Sequence, residues 1–146
     1  MRRISKYGLD LIRHFESFAP AIYICPAGYP TIGYGHLITE ANKQQFLDGV
    51  DEAQAQELLQ QDVQKAERAV LRLITVPLTP GQFDALASFT FNLGGGALQR
   101  STLRRKINRE EHTDAPAEFM KWVWAGGRKF KGLVRRRAAE CSFYIA

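Results

Sequence analysis

The segment HFESFAPAIYICPAGYPTIGYGH, residues 14–36, holds the change of pattern on which the fold turns. Up to it, Leu9, Leu11, Ile12 and Phe15 recur at helical spacing and predict a helix from Tyr7 that ends near Glu16. Pro20, Pro26, Gly28, Pro30, Gly33 and Gly35 then crowd the chain, with Ile22, Tyr23, Ile24, Ile32 and Tyr34 between them. Breakers at that density forbid a long helix, and the β-branched and aromatic residues favour short strands joined by turns. The spacing predicts a small β-hairpin or meander over roughly 20–38.

Everything beyond reads as helix. Asp51 with Gln54 forms a capping box ahead of a long segment carrying Ala55, Leu58, Leu59, Val63, Ala66, Val70 and Ile74. Thr79-Pro80-Gly81-Gln82 is a second start signal, followed by the largely apolar Phe83, Leu86, Ala87, Phe89, Thr90 and Leu93, which Gly94-Gly95-Gly96 is expected to end. Shorter helices are expected at about 101–108, 114–124 and 132–144. The expected architecture is α+β, one domain over 1–146. A small N-terminal lobe (about 15–50) with the β-hairpin or meander is joined by the linking helix (about 51–74) to a larger helical lobe. That lobe spans about 78–146 and packs with helix 5–16. A cleft between two such lobes is the natural ligand site.

The chain has 146 residues, 45% of them apolar and 24% charged, enough to bury a core without staples. Two cysteines, Cys25 and Cys141, are too few for a disulfide scaffold and point to a reducing compartment. No apolar run reaches the ~18 residues of a membrane span, so neither an N-terminal anchor nor a cleavable signal is expected. The net charge of +5 is localised. Residues 1–120 hold 13 Lys and Arg against 14 Asp and Glu, whereas residues 121–146 hold seven against Glu140 alone. A basic tail suits a polyanion, and composition does not choose among nucleic acid, an anionic membrane and an envelope polymer.

Glu16 stands at a helix C-terminus beside Phe15 and Phe18, where the helix dipole and apolar surroundings both disfavour ionisation. A carboxyl kept protonated near neutral pH can serve as a general acid. Cys25 and Thr31 follow nine and six residues on, and a hairpin folded back beside the helix end brings all three together. On spacing alone, Glu16 reads first as an ordinary solvated glutamate, and Cys25 also as a small buried apolar residue.

Glu16-x8-Cys25-x5-Thr31 resembles the catalytic signature of the phage-type lysozymes, the endolysin muramidases of glycoside hydrolase family 24, in a variant with Cys where Asp is common. The resemblance continues through Thr31-Ile-Gly-Tyr-Gly-His36, Leu78 to Gly94, Ser101-Thr-Leu, Trp122 with Gly126-Gly127, and Gly132-Leu-Val-Arg-Arg-Arg-Ala-Ala-Glu140. It implies a lysozyme-like fold and cleavage of the β-1,4 bond between N-acetylmuramic acid and N-acetylglucosamine in peptidoglycan, by a monomer without cofactor or metal. It implies Glu16 as general acid, Thr31 placing the attacking water, and Cys25 in the base or nucleophile position. A thiol with a reference pKa of ~8.5 is a poor base at neutral pH unless its pKa is lowered. Three readings of Cys25 therefore stand: thiolate base or nucleophile, spectator, or bystander to a lytic transglycosylase using Glu16 alone. The resemblance also implies accumulation in the host cytoplasm, then holin-mediated release to the periplasm and wall.

The remaining candidates are more open. His36 reads as a hydrogen-bonded turn residue, a modulator of Cys25 or a sugar contact. Asp84 reads as structural or capping, and Asn92 as a glycan contact or a cap. Trp122 and Trp124 suit sugar stacking or core packing. In 132–146, Val134, Ala138, Cys141 and Ile145 predict the docked face of a short helix that turns Arg135, Arg136, Arg137 and Glu140 to solvent. With Arg128, Lys129 and Lys131, those arginines are the candidate contacts to an anionic outer membrane, the seat of a competing non-catalytic, membrane-active reading. No nucleic-acid-binding pattern accompanies them.

Overall fold

The computed structural model describes residues 1–146. The chain divides into two compact units, residues 12–63 and residues 1–11 with 64–146. Helix α1 (Lys6–Glu16) begins at Ser5, whose carbonyl and hydroxyl accept from the amides of Leu9 and Gly8 at 3.0 and 3.2 Å. Asp84, buried, accepts from the Ser5 amide at 2.9 Å and from its hydroxyl, which settles Asp84 as a structural residue. At the other end Ser17 adopts a left-handed conformation (φ 61°) while its amide reaches back to Arg13, and the helix stops with Glu16 as its last residue.

In unit 12–63 the breakers yield an antiparallel sheet of β1 (Ala19–Ile24), β2 (Pro30–Gly33) and β3 (His36–Leu37), in that spatial order. Tyr23 lies opposite Thr31, and Thr31 opposite Leu37. Directly opposed residues share a face, so these three side chains form one row across the sheet. Ile32 points the other way and packs with Ile38, Phe46, Ile22, Val50 and Leu58. Burying an isoleucine of this kind stabilises the fold by about 1.5–3 kcal/mol. Helix α2 (Glu52–Leu73) starts with the expected capping box: the Gln54 amide donates to Asp51 Oδ1 and the Asp51 amide to Gln54 Oε1, both at 2.8 Å. Its stripe Ala55, Leu59, Val63, Ala66 and Val70 is buried.

The second unit holds α3 (Pro80–Leu93), α4 (Gly95–Arg100), α5 (Thr102–Asn108), α6 (Ala115–Phe119), a hairpin of β4 (Trp124–Ala125) and β5 (Arg128–Lys129), and α7 (Lys131–Ile145). Thr79 and Gln82 cap α3 reciprocally, and every residue from Phe83 to Thr90 is buried. Phe89 meets Phe119 and Trp122 edge-on, with ring centroids 5.6 Å apart in each case. Glu67, fully buried, ties down the N-terminus by accepting from the Ile4 amide at 2.6 Å and from Arg3 Nε at 2.9 Å.

Three expectations need correction. Gly94 ends α3, but Gly95 and Gly96 open α4 rather than a loop. The helix expected to 124 stops at Phe119, and the chain then forms the β4–β5 hairpin, whose two turn residues are Gly126 and Gly127 at φ 56° and 79°. Two consecutive positive φ angles suit the tight two-residue hairpin turn, and only glycine adopts them without strain.

The third correction inverts α7. Its buried residues are Arg136, Arg137, Glu140 and Tyr144, while Ala138 and Ile145 are exposed. The charges go inside because opposite charges meet there. Arg137 Nε lies 2.7 Å from Glu140 Oε1, Arg136 Nε lies 3.5 Å from Oε2, and the Ser88 hydroxyl donates to Oε2 at 2.6 Å. Arg137 Nη2 donates to Asn92 Oδ1 at 2.8 Å, and its guanidinium rests over the Phe89 ring. Burial pushes the Glu140 carboxyl above its ordinary pKa and Arg137 below its own, each opposed by its partner's charge. Arg136 and Arg137 are thus withdrawn from any external surface. No helix is long and apolar enough to cross a membrane.

Removing one member of such a cluster strands the others. Glu140→Gln is expected to cost about 3–5 kcal/mol in urea denaturation, whereas Arg135→Gln on the exposed side changes stability by less than about 0.5 kcal/mol.

Candidate active site

Glu16, Cys25 and Thr31 all fall within unit 12–63. The end of α1 delivers Glu16, half-buried, against the turn that joins β2 to β3. Gly35 in that turn has φ 80°, and a Cβ built on it would stand 2.7 Å from Glu16 Oε1. The carboxylate therefore lies directly on backbone. Beside it Tyr34 is buried, with its hydroxyl donating to Glu52 Oε1 at 3.0 Å and its ring packed against Phe18. Burial, and then the Glu52 carboxylate, raise the Tyr34 phenol pKa, which keeps it a donor.

Cys25 closes the tight turn after β1. Its amide donates to the Tyr29 carbonyl at 2.9 Å and its carbonyl accepts from the Gly28 amide at 2.8 Å. The same turn aims the Tyr29 N–H at the sulfur, and this lowers the thiol pKa most. The N–H groups of Ala27 and Gly28 and the Thr31 hydroxyl add to the effect, against partial burial. Thr31, 2% exposed, donates its hydroxyl to the Tyr29 carbonyl at 2.9 Å. With its one proton so engaged, both oxygen lone pairs are left to accept, as from a water molecule. A thiolate at Cys25 competes for that same proton.

Tyr23 was not singled out from the sequence. It is directly opposite Thr31 and two residues before Cys25, hence on the same sheet face. Burial, followed by the negative charges of Glu16 and then Cys25, raises its phenol pKa. The available sequence signal was this i, i+2 spacing to Cys25 on a half-exposed strand.

The other candidates have surroundings of their own. His36 Nδ1 is 2.7 Å from Asp62 Oδ2 and its ring meets Phe46, so it is a paired turn histidine. Asn92 serves Arg137, and Trp122 packs on Phe89 with the Arg100 guanidinium over its ring. Arg128, Lys129, Lys131 and Arg135 are exposed. An open groove of about 240 Å³, with Gln45, Phe46, Gln54 and Glu57 among its walls, shares no residue with the Glu16 set. No three His, Cys, Asp or Glu side chains are grouped to hold a metal ion.

The family model described as phage lysozyme matches residues 13–140. The chain belongs to the phage lysozyme family. The chain is 39% identical over 144 residues to an endolysin of Bacillus phage B103, covering 97% of this chain but 54% of that protein. It is 33% identical to the endolysin of Salmonella phage P22, covering 98% and 99%. The chain thus spans about half the length of the Bacillus phage relative and nearly all of the P22 one. Among solved structures, the muramidase domain of SpmX from Asticaccaulis excentricus superposes with a TM-score of 0.87 at 34% identity, covering 100% of this chain and 99% of that one. The α+β fold is therefore lysozyme-like, and Glu16, Cys25 and Thr31 all lie inside the matched family segment.

The two thiols of this phage lysozyme family member differ in character. Both are free. Burial first, then the Glu140 charge, raises the pKa of Cys141, opposite to Cys25. Iodoacetamide labelling followed by mass spectrometry should show Cys25 alkylated with a pH midpoint below the ~8.5 of a free thiol, and Cys141 lagging at every pH. In Thr31→Val the Cys25 midpoint should rise, since one donor to the thiolate is gone.

Proposed function

We propose that the chain is an endolysin that hydrolyses the β-1,4 bond between N-acetylmuramic acid and N-acetylglucosamine in peptidoglycan. What supports this reading is that one compact unit holds a carboxyl against the Gly35 backbone, a thiol in a turn of N–H donors, and a hydroxyl with free lone pairs. Glu16 gives its proton to the glycosidic oxygen, the bonding pair leaves with that oxygen, and the sugar ring takes on oxocarbenium character. A water donating to Thr31 Oγ1 keeps a lone pair for the anomeric carbon. Cys25, as thiolate, accepts the proton that water sheds and offsets the positive charge at the ring. Tyr23, neutral and opposite Thr31 on the sheet, is a hydrogen-bond donor on the same face. In the same reading the enzyme is a monomer that acts on the wall after a holin releases it from the host cytoplasm.

Digestion of purified sacculi by wild type should yield muropeptides whose new reducing ends carry one added water. Products ending in 1,6-anhydro sugars would instead mean transglycosylation by Glu16 alone. Glu16→Gln should lower kcat by about 10²–10⁴-fold with the fold intact. Cys25→Asp should keep or raise activity and Cys25→Ser should lose it, and full activity in Cys25→Ser would make the thiol a spectator.

A further inference from the structure

Unit 12–63 has a second concavity, the open groove of about 240 Å³. One wall is the start of α2, where Gln54, Glu57, Leu58 and Gln61 stand at i, i+3, i+4 and i+7 and so share a helix face. The facing wall is the single turn of 3₁₀ helix Lys43–Phe46, which supplies Gln45 and Phe46. Phe46 and Leu58 belong to the apolar layer that packs with Ile32, on the side of the sheet away from Thr31. That layer separates the groove from the Cys25–Thr31 face. Gln54 Oε1 accepts from the Asp51 amide at 2.8 Å, which leaves its NH2 group to donate. The side chains of Gln45, Glu57 and Gln61 are exposed and make no hydrogen bond or ion pair within the chain.

We propose that this groove is a second saccharide site that takes one N-acetylglucosamine ring. Amide NH2 groups donate, while amide carbonyls and the Glu57 carboxylate accept, so the ligand must offer both kinds of partner, as hydroxyls do. No lysine or arginine lines the groove, and Glu57 does, which disfavours a phosphate or a carboxylate. A cation would meet one carboxylate among three neutral amides. A neutral polyol with an apolar patch remains. An acetamido group adds an N–H and a carbonyl for the glutamines and a methyl for Phe46 and Leu58. The groove is smaller than the roughly 300–1,000 Å³ of drug-sized sites, which suits one ring. The choice of N-acetylglucosamine among neutral polyols rests on the proposed action on peptidoglycan. Its partner sugar, N-acetylmuramic acid, carries a carboxyl that Glu57 repels. One ring is held weakly, but on a polymer engaged elsewhere such a contact raises avidity by about 10²–10⁴-fold.

The test is nitrogen-15 NMR of the full chain titrated with N-acetylglucosamine, read at the side-chain amides of Gln45, Gln54 and Gln61. Wild type and Glu16→Gln should show the same saturable shifts, and glucose and N-acetylmuramic acid should bind at least about fivefold more weakly. Gln45→Ala with Gln61→Ala alters exposed side chains only, and its Gln54 amide should need at least about tenfold more sugar. In the Glu16→Gln background the same pair of substitutions should weaken cosedimentation with purified sacculi by about tenfold. The proposal is overturned by absence of saturable shifts at these amides, or by an unchanged midpoint or unweakened cosedimentation in the double variant. Glucose binding as tightly as N-acetylglucosamine, or a stem tripeptide occupying the groove more tightly than either, would overturn it as well. Groove shifts in a chain that fails to digest sacculi would uphold the saccharide site and sink the hydrolytic reading, so the two fail separately.

Discussion

The Glu16 carboxylate has backbone where a neighbouring side chain would ordinarily stand. Gly35 sits at φ 80°, a conformation strained for any other residue, and a Cβ there would meet Oε1 at 2.7 Å, so the carboxyl would have to turn aside. Two features of the chain converge on that contact. Ser17 halts α1 in a left-handed conformation just beyond the acid, and the β2–β3 turn brings Gly35 beneath it. The row Tyr23–Thr31–Leu37 then follows from strand register alone.

A different constraint governs the second unit. Glu140, two arginines, Ser88 and Asn92 form a buried polar cluster against Phe89, linking α7 to α3 through charge rather than through an apolar seam. Such a cluster contributes little net stability over a hydrophobic substitute, but it is intolerant of losing one partner. It also redistributes the charge of the tail. Two of its seven cations are spent inside, and the exposed remainder gathers at the hairpin and at the start of α7.

What the sequence revealed and what it concealed follow the same physics. The starts of α2 and α3 were legible because Asp51–Gln54 and Thr79–Gln82 act within four residues. The strands were legible because proline and glycine exclude helix locally. Glu16, Cys25 and Thr31 were picked out by the resemblance of their spacing to a family signature, and Cys25 and Thr31 both belong to the β1–β2 hairpin, each bonded to the Tyr29 carbonyl. By contrast, the buried face of α7 depends on Ser88 and Asn92, more than forty residues away, which no periodicity of residues 132–146 reports. The same distance hid the true partner of Asn92. Tyr23 was overlooked because its importance lies in register with Thr31, and the β4–β5 hairpin because strands of two residues carry no period.

The central claim is that a glycine seat holds Glu16, the proposed general acid, and Gly35→Ala tests it most directly. Steady-state kinetics on purified peptidoglycan, with circular dichroism to show that the variant is folded, should find kcat at least about tenfold lower and KM little changed, since displacing an acid by an ångström impairs chemistry more than binding. A folded Gly35→Ala enzyme with unaltered kcat would contradict the account.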